Sequence, residues 1–360
     1  MSSSSFLQLP GDVPLDLPGA VPEDEVSIGP GAATGIGSWP GTEVMETMRL
    51  VFGELGESPA FPFLPELPAR GPGADMIGRG AGLLVDLPVD LQPSGWRLVD
   101  HPGRDHNRTQ AWLRQDLDVL AEVGDGYDGL LKLQVTGPWT LAASLWLPRL
   151  ERVVVDPGAC RDLVASLAEG VLQHVEEVQR LLPRARLVLQ VDEPSLTAVM
   201  EGSLPTASGF GRLRPVDEPV IVEALRAVLE AGERAGAVRT VIHSCAPKPP
   251  VDVLVRTGAS ALSLDISQLG TQRWEQLAEA TENGLGLWAG AVPTSGGVKP
   301  EAVVDSIWNP WRKLGLDAAA AADIVVTPTC GLAGSSPQQA RSALRLAREA
   351  ARILADRALE

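Results

Sequence analysis

Cysteine, histidine and basic residues are scarce in this 360-residue sequence, and their scarcity excludes several classes of protein. Three cysteines at wide spacing cannot form the disulfide framework on which small secreted proteins depend. Lysine and arginine (30) are outnumbered by aspartate and glutamate (46), so a net charge of −16 leaves no basic surface for nucleic-acid phosphates. We therefore expect small molecules, and no nucleic acid, as partners.

Long apolar runs are lacking as well. No uninterrupted apolar stretch approaches the roughly 18 residues that a membrane helix needs. The first residues also lack the basic start and apolar stretch of a secretory signal. The sequence thus predicts a cytoplasmic protein with no membrane partner, and its 44% hydrophobic residues are enough for a large core.

The chain divides into an irregular start and a long α/β region. Residues 1–30 are rich in serine, proline, glycine and acid without sustained periodicity, which predicts a flexible or loosely docked N-terminal extension. Over 31–360, short apolar runs alternate with amphipathic helical patterns. Eight strands are predicted, over 34–38, 60–67, 130–137, 186–193, 239–245, 261–267, 285–292 and 323–331.

This alternation predicts a single (β/α)8 TIM barrel as the catalytic domain, over 31–360. Near-continuous apolar strands separated by helices are typical of a parallel sheet that is covered on both faces. An open dinucleotide-binding sheet is disfavoured because no G-x-G-x-x-G fingerprint follows the first strand. The long Gly- and Pro-rich connection over 68–108 is interpreted as a functional loop.

Polar residues lie at the carboxyl ends of the predicted strands, where barrel enzymes form their active sites. Residues i and i+2 of a strand share a face, so His243 and Cys245 can both face one central ion. Together with Cys330 and a carboxylate at other strand ends, they predict a zinc site.

An alternative interpretation makes these three residues part of the core, with small buried cysteines and a hydrogen-bonded histidine. Cys160, in a predicted helix, is interpreted as an ordinary thiol. His174, also on a helix, is expected to be solvated.

Five short segments carry a resemblance to a known family. IGSWPGT, TGPWTL, QVDEPSL, HSC and TCGL follow one another in this order between residues 34 and 350. Together they resemble the catalytic barrel of the cobalamin-independent methionine synthase family in its short, single-barrel form. This resemblance implies a zinc-dependent S-methyltransferase that makes methionine from homocysteine, with a methyl donor as its second substrate.

The resemblance also implies roles for individual residues. It implies four zinc ligands: His243, Cys245, Asp265 and Cys330. It implies a homocysteine pocket made of Ile36, Gly37, Ser38, Glu66 and Asp192. Asp192, which would hold the ammonium group, and Asp265, which stands where the family usually has a glutamate, are the predicted catalytic residues.

Three departures from the family pattern concern the methyl donor. Ser144 stands where the longer members carry a tryptophan that stacks on the folate, Ala198 replaces a carboxylate, and no histidine follows His243 to serve as proton donor. A methyl group on N5 of methyltetrahydrofolate needs protonation of its leaving group, whereas methylcobalamin does not. We therefore predict a methylated corrinoid protein or an unconjugated donor, with methyltetrahydrofolate as the close alternative.

Three other functions stay open at this point. Methyl transfer to another thiol, such as coenzyme M, would use the same zinc ligands. A tetrapyrrole decarboxylase of the same superfamily is disfavoured because that chemistry has no use for a thiolate cluster. A non-catalytic, zinc-stabilised barrel is disfavoured because structural zinc usually takes ligand pairs close in sequence.

Overall fold

A six-stranded parallel sheet forms the centre of the molecule. The computed structural model describes residues 28–149 and 151–360. Neighbouring strands of this sheet follow one another in chain order. Its strands are β3 (Leu130–Thr136), β4 (Arg186–Asp192), β5 (Arg239–Ser244), β6 (Ala261–Asp265), β7 (Gly286–Val292) and β8 (Val325–Pro328).

Helices follow the strands and cover the sheet, as the alternating pattern predicts. They are α1 (Val44–Leu55), α2 (Met76–Leu83), α3 (Arg104–Val123), α4 (Pro138–Ser144), α5 (Pro157–Leu181), α6 (Leu196–Met200), α7 (Glu218–Arg234), α8 (Val251–Val255), α9 (Thr271–Glu282), α10 (Pro300–Lys313) and α11 (Pro337–Leu359). The last begins with a capping box between Ser336 and Gln339, which satisfies amide groups that a helix start leaves free.

The sheet curls around a small apolar core of its own. One residue near the start of each strand joins this inner cluster: Leu130, Val188, Val241, Ala261, Trp288 and Val325. Ile28, Ala32 and Phe61 complete it from segments outside the sheet. A larger cluster lies between the strands and the helices, so both faces of the strands are buried.

The inner face changes from apolar to polar along each strand. Because alternate residues share a face, Val188 is followed inside the curl by Gln190 and Asp192, and Val241 by His243. Asp192 pairs in register with His243, and His243 with Ser263. The carboxyl ends of neighbouring strands therefore bring their polar side chains to one rim.

The first two predicted strands do not form regular strands. The segments 34–38 and 60–67 make isolated parallel bridges instead, Ser38 with Glu66 and Phe63 with Lys132, and Ala33, just before the first segment, bridges Val326. Pro62 and Pro65 lack the N–H that a ladder needs, which accounts for the interruption in the second segment. The prediction of a parallel α/β sheet is thus confirmed, with six of the eight expected strands formed.

The connection over 68–108 is more ordered than its composition suggests. It contains α2 and an antiparallel hairpin of β1 (Val89–Gln92) and β2 (Gly95–Leu98). The predicted extension over 1–30 lies outside the described residues except for its last three. Of these, Ile28 is buried in the inner cluster.

Candidate active site

Three predicted metal ligands come together at the polar rim of the sheet. One ligand atom each from His243, Cys245 and Cys330 lies within 4.8 Å of the other two. His243 is the fifth residue of β5, Cys245 follows that strand directly, and Cys330 lies two residues after β8. A cluster of one imidazole and two thiols from the ends of two strands is a donor set that suits zinc.

The imidazole of His243 is oriented for metal binding. Its Nδ1 lies 3.1 Å from the carbonyl oxygen of Ser263 and 3.0 Å from the Ser263 hydroxyl. A carbonyl oxygen can only accept, so this contact assigns the proton to Nδ1 and leaves the lone pair on Nε2. Nε2 is buried and has no hydrogen-bond partner among the described residues, so the donor set fits a metal ion.

The two cysteines of the cluster are free and close together. Their Sγ atoms lie 2.7 Å apart, and both residues are partly buried. The contact with Cys245 lowers the pKa of the Cys330 thiol, and His243 and the Gly331 amide lower it further. The same contact, with burial, raises the pKa of Cys245. Two thiolates so close together repel each other, which a divalent cation would offset.

Asp192 lies next to this cluster on the neighbouring strand. It is buried, and its Oδ1 accepts a hydrogen bond of 2.7 Å from Gln190. Burial raises the pKa of its carboxyl group, against the lowering effects of His243 and Lys132. The carboxyl group of Asp192 therefore interacts electrostatically with both His243 of the cluster and Lys132.

Glu66 belongs to a second buried set of charges. Its Oε1 accepts from Gln134 at 3.2 Å and lies 3.7 Å from Nε of Arg79. Arg79 also forms an ion pair with Asp116, which pairs in turn with Arg70 at 2.8 Å. Burial raises the pKa of Glu66 to about 7, even though Arg79 opposes the shift.

The Ile36–Ser38 segment lies beside the metal cluster and against the inner strands. Leu332, two residues after Cys330, donates its N–H to the Ser38 carbonyl at 2.9 Å. A Cβ at Gly331 would come within 2.1 Å of the Ser38 hydroxyl oxygen, so the two segments touch at this point. Among the residues predicted for the substrate pocket, Ser38 is therefore adjacent to the predicted metal site.

Asp265 is placed differently from the other predicted ligands. It ends β6, and its Oδ1 accepts from the Ser267 amide at 3.0 Å and from the Ser267 hydroxyl at 2.7 Å. It is not among the residues that form the metal cluster of the described chain. The structure uses this carboxylate to cap the short 3-10 turn Ile266–Gln268.

Glu193 has a local structural role. Its carboxylate accepts the backbone amides of Trp139 at 2.9 Å and Thr140 at 2.8 Å, in the first turn of α4. Burial raises its pKa to about 7, while the hydrogen bonds from Thr140 and Trp139 oppose the shift. Only Asp192 of the Asp192-Glu193 pair is therefore a candidate for substrate binding.

A buried polar layer, whose members are not among the predicted site residues, lies just below the rim. Lys132, Gln134 and Gln190 are at most 5% exposed and lie on the inner face of β3 and β4. Burial lowers the pKa of Lys132 to about 7, although Asp192 and Glu66 act to raise it. Their signal in the sequence is the alternation of polar with apolar residues in LLKLQVT and RLVLQVD.

Two histidines line a separate cavity of about 680 Å³ between α2, α3 and α5. The prediction of a solvated His174 is wrong: it is 4% exposed, because Gly170, one turn earlier, lets α5 approach the backbone of Leu83 closely. His106 is 7% exposed. Nδ1 of each ring lacks a hydrogen-bond partner within the described part of the chain.

His174 should make the fold sensitive to acid. Burial, followed by the nearby Arg79, lowers its pKa from 6.5 to about 4. The unfolded chain then takes up a proton first, so stability is lost as pH falls from about 6.5 to about 4. The buried carboxyl groups of Glu66 and Glu193 act in the opposite direction, so the wild-type profile alone does not isolate this effect.

Between pH 7 and pH 4, the free energy of unfolding should fall by up to about 3 kcal/mol less in His174→Gln than in wild type. Urea unfolding at pH 7, 6, 5 and 4 measures it. His101→Gln, at an exposed position, is the matched control and should follow wild type. Parallel loss of stability in wild type and His174→Gln would contradict the expectation.

Comparison with solved structures finds a similar fold. A B12-independent methionine synthase from Shewanella sp. W3-18-1, in complex with selenomethionine, aligns over 91% of this chain and 98% of its own, with a TM-score of 0.57 at 13% sequence identity. A putative fructose-1,6-biphosphate aldolase from Coccidioides immitis aligns over 63% of this chain and 80% of its own, at 15% identity and a TM-score of only 0.29. The first match supports the α/β fold, while the second is too weak to support an argument.

No curated protein matches the sequence significantly. Within the described residues, no helix combines the length and apolar character that crossing a membrane requires. A sequence family described as "Cobalamin-independent synthase, Catalytic domain" matches residues 149–353, more than half of the chain, including His243, Cys245 and Cys330. The chain therefore belongs to the family of cobalamin-independent synthase catalytic domains.

Proposed function

We propose that this protein is a zinc-dependent methyltransferase that converts homocysteine to methionine. The observation that carries the proposal is the cluster of His243, Cys245 and Cys330 beside the buried carboxyl group of Asp192. The family membership and the overall fold support it.

We also propose that the segments 33–38 and 60–67, which lie between β8 and β3, take the positions of the first two strands of a TIM barrel.

His243, Cys245 and Cys330 would hold the metal. Zinc bound there would supply a Lewis acid that keeps a substrate thiol ionised at neutral pH. Asp265 stays our proposal for a fourth, exchangeable ligand. To act as one, its carboxylate would have to release the hydrogen bonds that it makes to Ser267.

The protein residues around the cluster would bind the amino-acid part of the substrate. Asp192 and Glu66, both buried, provide carboxyl groups that can receive an ammonium group. Ile36, Gly37 and Ser38 would line the pocket next to the loop that carries Cys330. Coenzyme M has no ammonium group and carries a sulfonate, so these carboxylates favour homocysteine over that thiol.

Methyl transfer requires that the sulfur electron pair forms the new S–C bond while the donor keeps the electron pair of the bond that breaks. A methylcorrinoid can keep that pair on cobalt without a proton, whereas N5 of tetrahydrofolate must be protonated. Because no histidine follows His243 in this sequence, we propose a methylated corrinoid protein as the donor and methyltetrahydrofolate as the alternative.

Purified zinc-loaded protein should form methionine from homocysteine and methylcobalamin, measured by mass spectrometry. Two parallel reactions are run. In one, methyltetrahydrofolate replaces methylcobalamin as donor, and in the other, coenzyme M replaces homocysteine as acceptor. Turnover with methyltetrahydrofolate but not with methylcobalamin would contradict the proposal of a corrinoid donor. Failure of homocysteine to bind, together with no methionine from either donor, would overturn the function itself.

A further inference from the structure

A buried lysine lies inside the curled sheet, below the segment proposed to line the substrate pocket. Lys132 is the third residue of β3 and is fully buried. Its Nζ donates a hydrogen bond of 2.6 Å to the carbonyl oxygen of Ile36. A buried ammonium group costs free energy, so a lysine at such a position points to a specific role for this contact.

A second side chain holds the same carbonyl oxygen. Gln190, on the adjacent strand β4, donates from Nε2 to Ile36 at 2.9 Å and to Oδ1 of Asp192 at 2.7 Å. One amide group thus connects the Ile36 backbone to the carboxylate proposed to receive the substrate ammonium group. The two sides of the proposed amino-acid pocket are linked through it.

The Ile36–Ser38 segment depends on such contacts because it is not a regular strand. Within it, Ser38 makes an isolated bridge with Glu66 in place of a continuous ladder. Gly37 packs directly on Gln134, since a Cβ at this position would approach the Gln134 side chain to 2.7 Å. Gln134 in turn donates to the Leu64 carbonyl at 2.5 Å and to Glu66 at 3.2 Å. Side chains of β3 and β4 therefore replace part of the missing backbone pairing.

We propose that Lys132 and Gln190 are positioning residues that give this enzyme its preference for an amino-acid thiol over a simple alkyl thiol. They fix the Ile36 carbonyl and, through it, hold the Ile36–Ser38 segment opposite Asp192. This role rests on the proposed function. Neither side chain is a candidate metal ligand, so the thiol end of the site does not depend on them.

The test compares homocysteine with propane-1-thiol as methyl acceptors for the zinc-loaded protein. Lys132→Met removes the charge and the donor but keeps an unbranched side chain. We expect its KM for homocysteine to rise at least tenfold, with kcat for propane-1-thiol and the zinc content unchanged. Gln190→Met should show the same selective effect, and it carries the test if Lys132→Met does not fold.

Arg49→Met is the matched control for loss of a positive charge, because Arg49 is exposed on α1 and pairs with Glu122 at the surface. It should keep the wild-type preference for homocysteine. The proposal is overturned if Lys132→Met or Gln190→Met keeps the wild-type ratio of kcat/KM for the two thiols, whatever the stability of the variant. If wild type methylates neither thiol, the proposed function fails instead, so the two failures are distinguishable.

Discussion

Replacing Cys330 by serine should abolish metal binding and methionine formation together. Serine keeps the size of the side chain but removes the thiolate, which leaves only His243 and Cys245 in the cluster. Loss of a contact around a zinc ligand already costs about 10- to 100-fold in affinity or activity. We therefore expect loss of a ligand itself to lower turnover by at least about 100-fold. Zinc content by atomic absorption and methionine formation are the two measurements.

Cys160→Ser is the matched control for this experiment. Cys160 is buried on α5, and its Sγ contacts the Val153 carbonyl rather than the metal cluster. This variant should keep both zinc and activity. Wild-type zinc content and turnover in Cys330→Ser would rule out a metal site at this position. The structural-zinc alternative would be favoured by two results together: Cys330→Ser loses zinc and its stability collapses, and the wild-type protein does not bind homocysteine.

Replacing Asp116 by asparagine should destabilise the fold more than changing an ordinary surface charge. Asp116 is completely buried on α3 and forms ion pairs with both Arg70 and Arg79. Asparagine cannot neutralise two guanidinium groups, which would then stay buried without their partner charge. Breaking a buried ion pair in this way costs about 3–5 kcal/mol. Urea unfolding at pH 7 measures the loss.

Asp118→Asn provides the control two positions further along the same helix. Asp118 is exposed, so the same change of charge should alter the free energy of unfolding by less than about 0.5 kcal/mol. Equal effects at the two positions would mean that the buried charges of Arg70 and Arg79 find other partners. Arg79 also contacts Glu66, which is proposed to bind the substrate. Asp116→Asn could therefore also weaken homocysteine binding, as a secondary effect.

The sequence predicted best where the local pattern and the tertiary structure agree. Strands β3 to β8 are short, apolar runs between amphipathic helices, and each of them forms close to its predicted position. The apolar residues of the first two segments predict strands equally well, but these segments make only isolated bridges, and Pro62 and Pro65 lack the N–H that a ladder needs. Periodicity detects which residues are buried, and it does not detect whether the backbone can complete a ladder.

The site shows the same division. Strand-end position and the i, i+2 rule predict that His243, Cys245 and Cys330 share one site, and the structure brings the Sγ atoms of the two cysteines to 2.7 Å. The carboxylates are harder to distinguish, because Asp192 and Asp265 end strands and Glu193 follows Asp192 directly. Asp192 faces the cluster, whereas Glu193 binds the start of α4 and Asp265 caps a 3-10 turn. Which partner a carboxylate finds depends on elements distant in the chain.

By itself, the sequence determined the parallel α/β architecture, the family, and the residue types able to bind a metal, because apolar periodicity and donor chemistry are local properties. Only the tertiary structure decided the contact between Cys245 and Cys330, the tautomer of His243, and the burial of Lys132, Asp116 and His174. These depend on how the curled sheet brings together side chains that lie far apart in the sequence. The free-energy cost of burying each charge depends on its partners, and these partners are distant in the sequence.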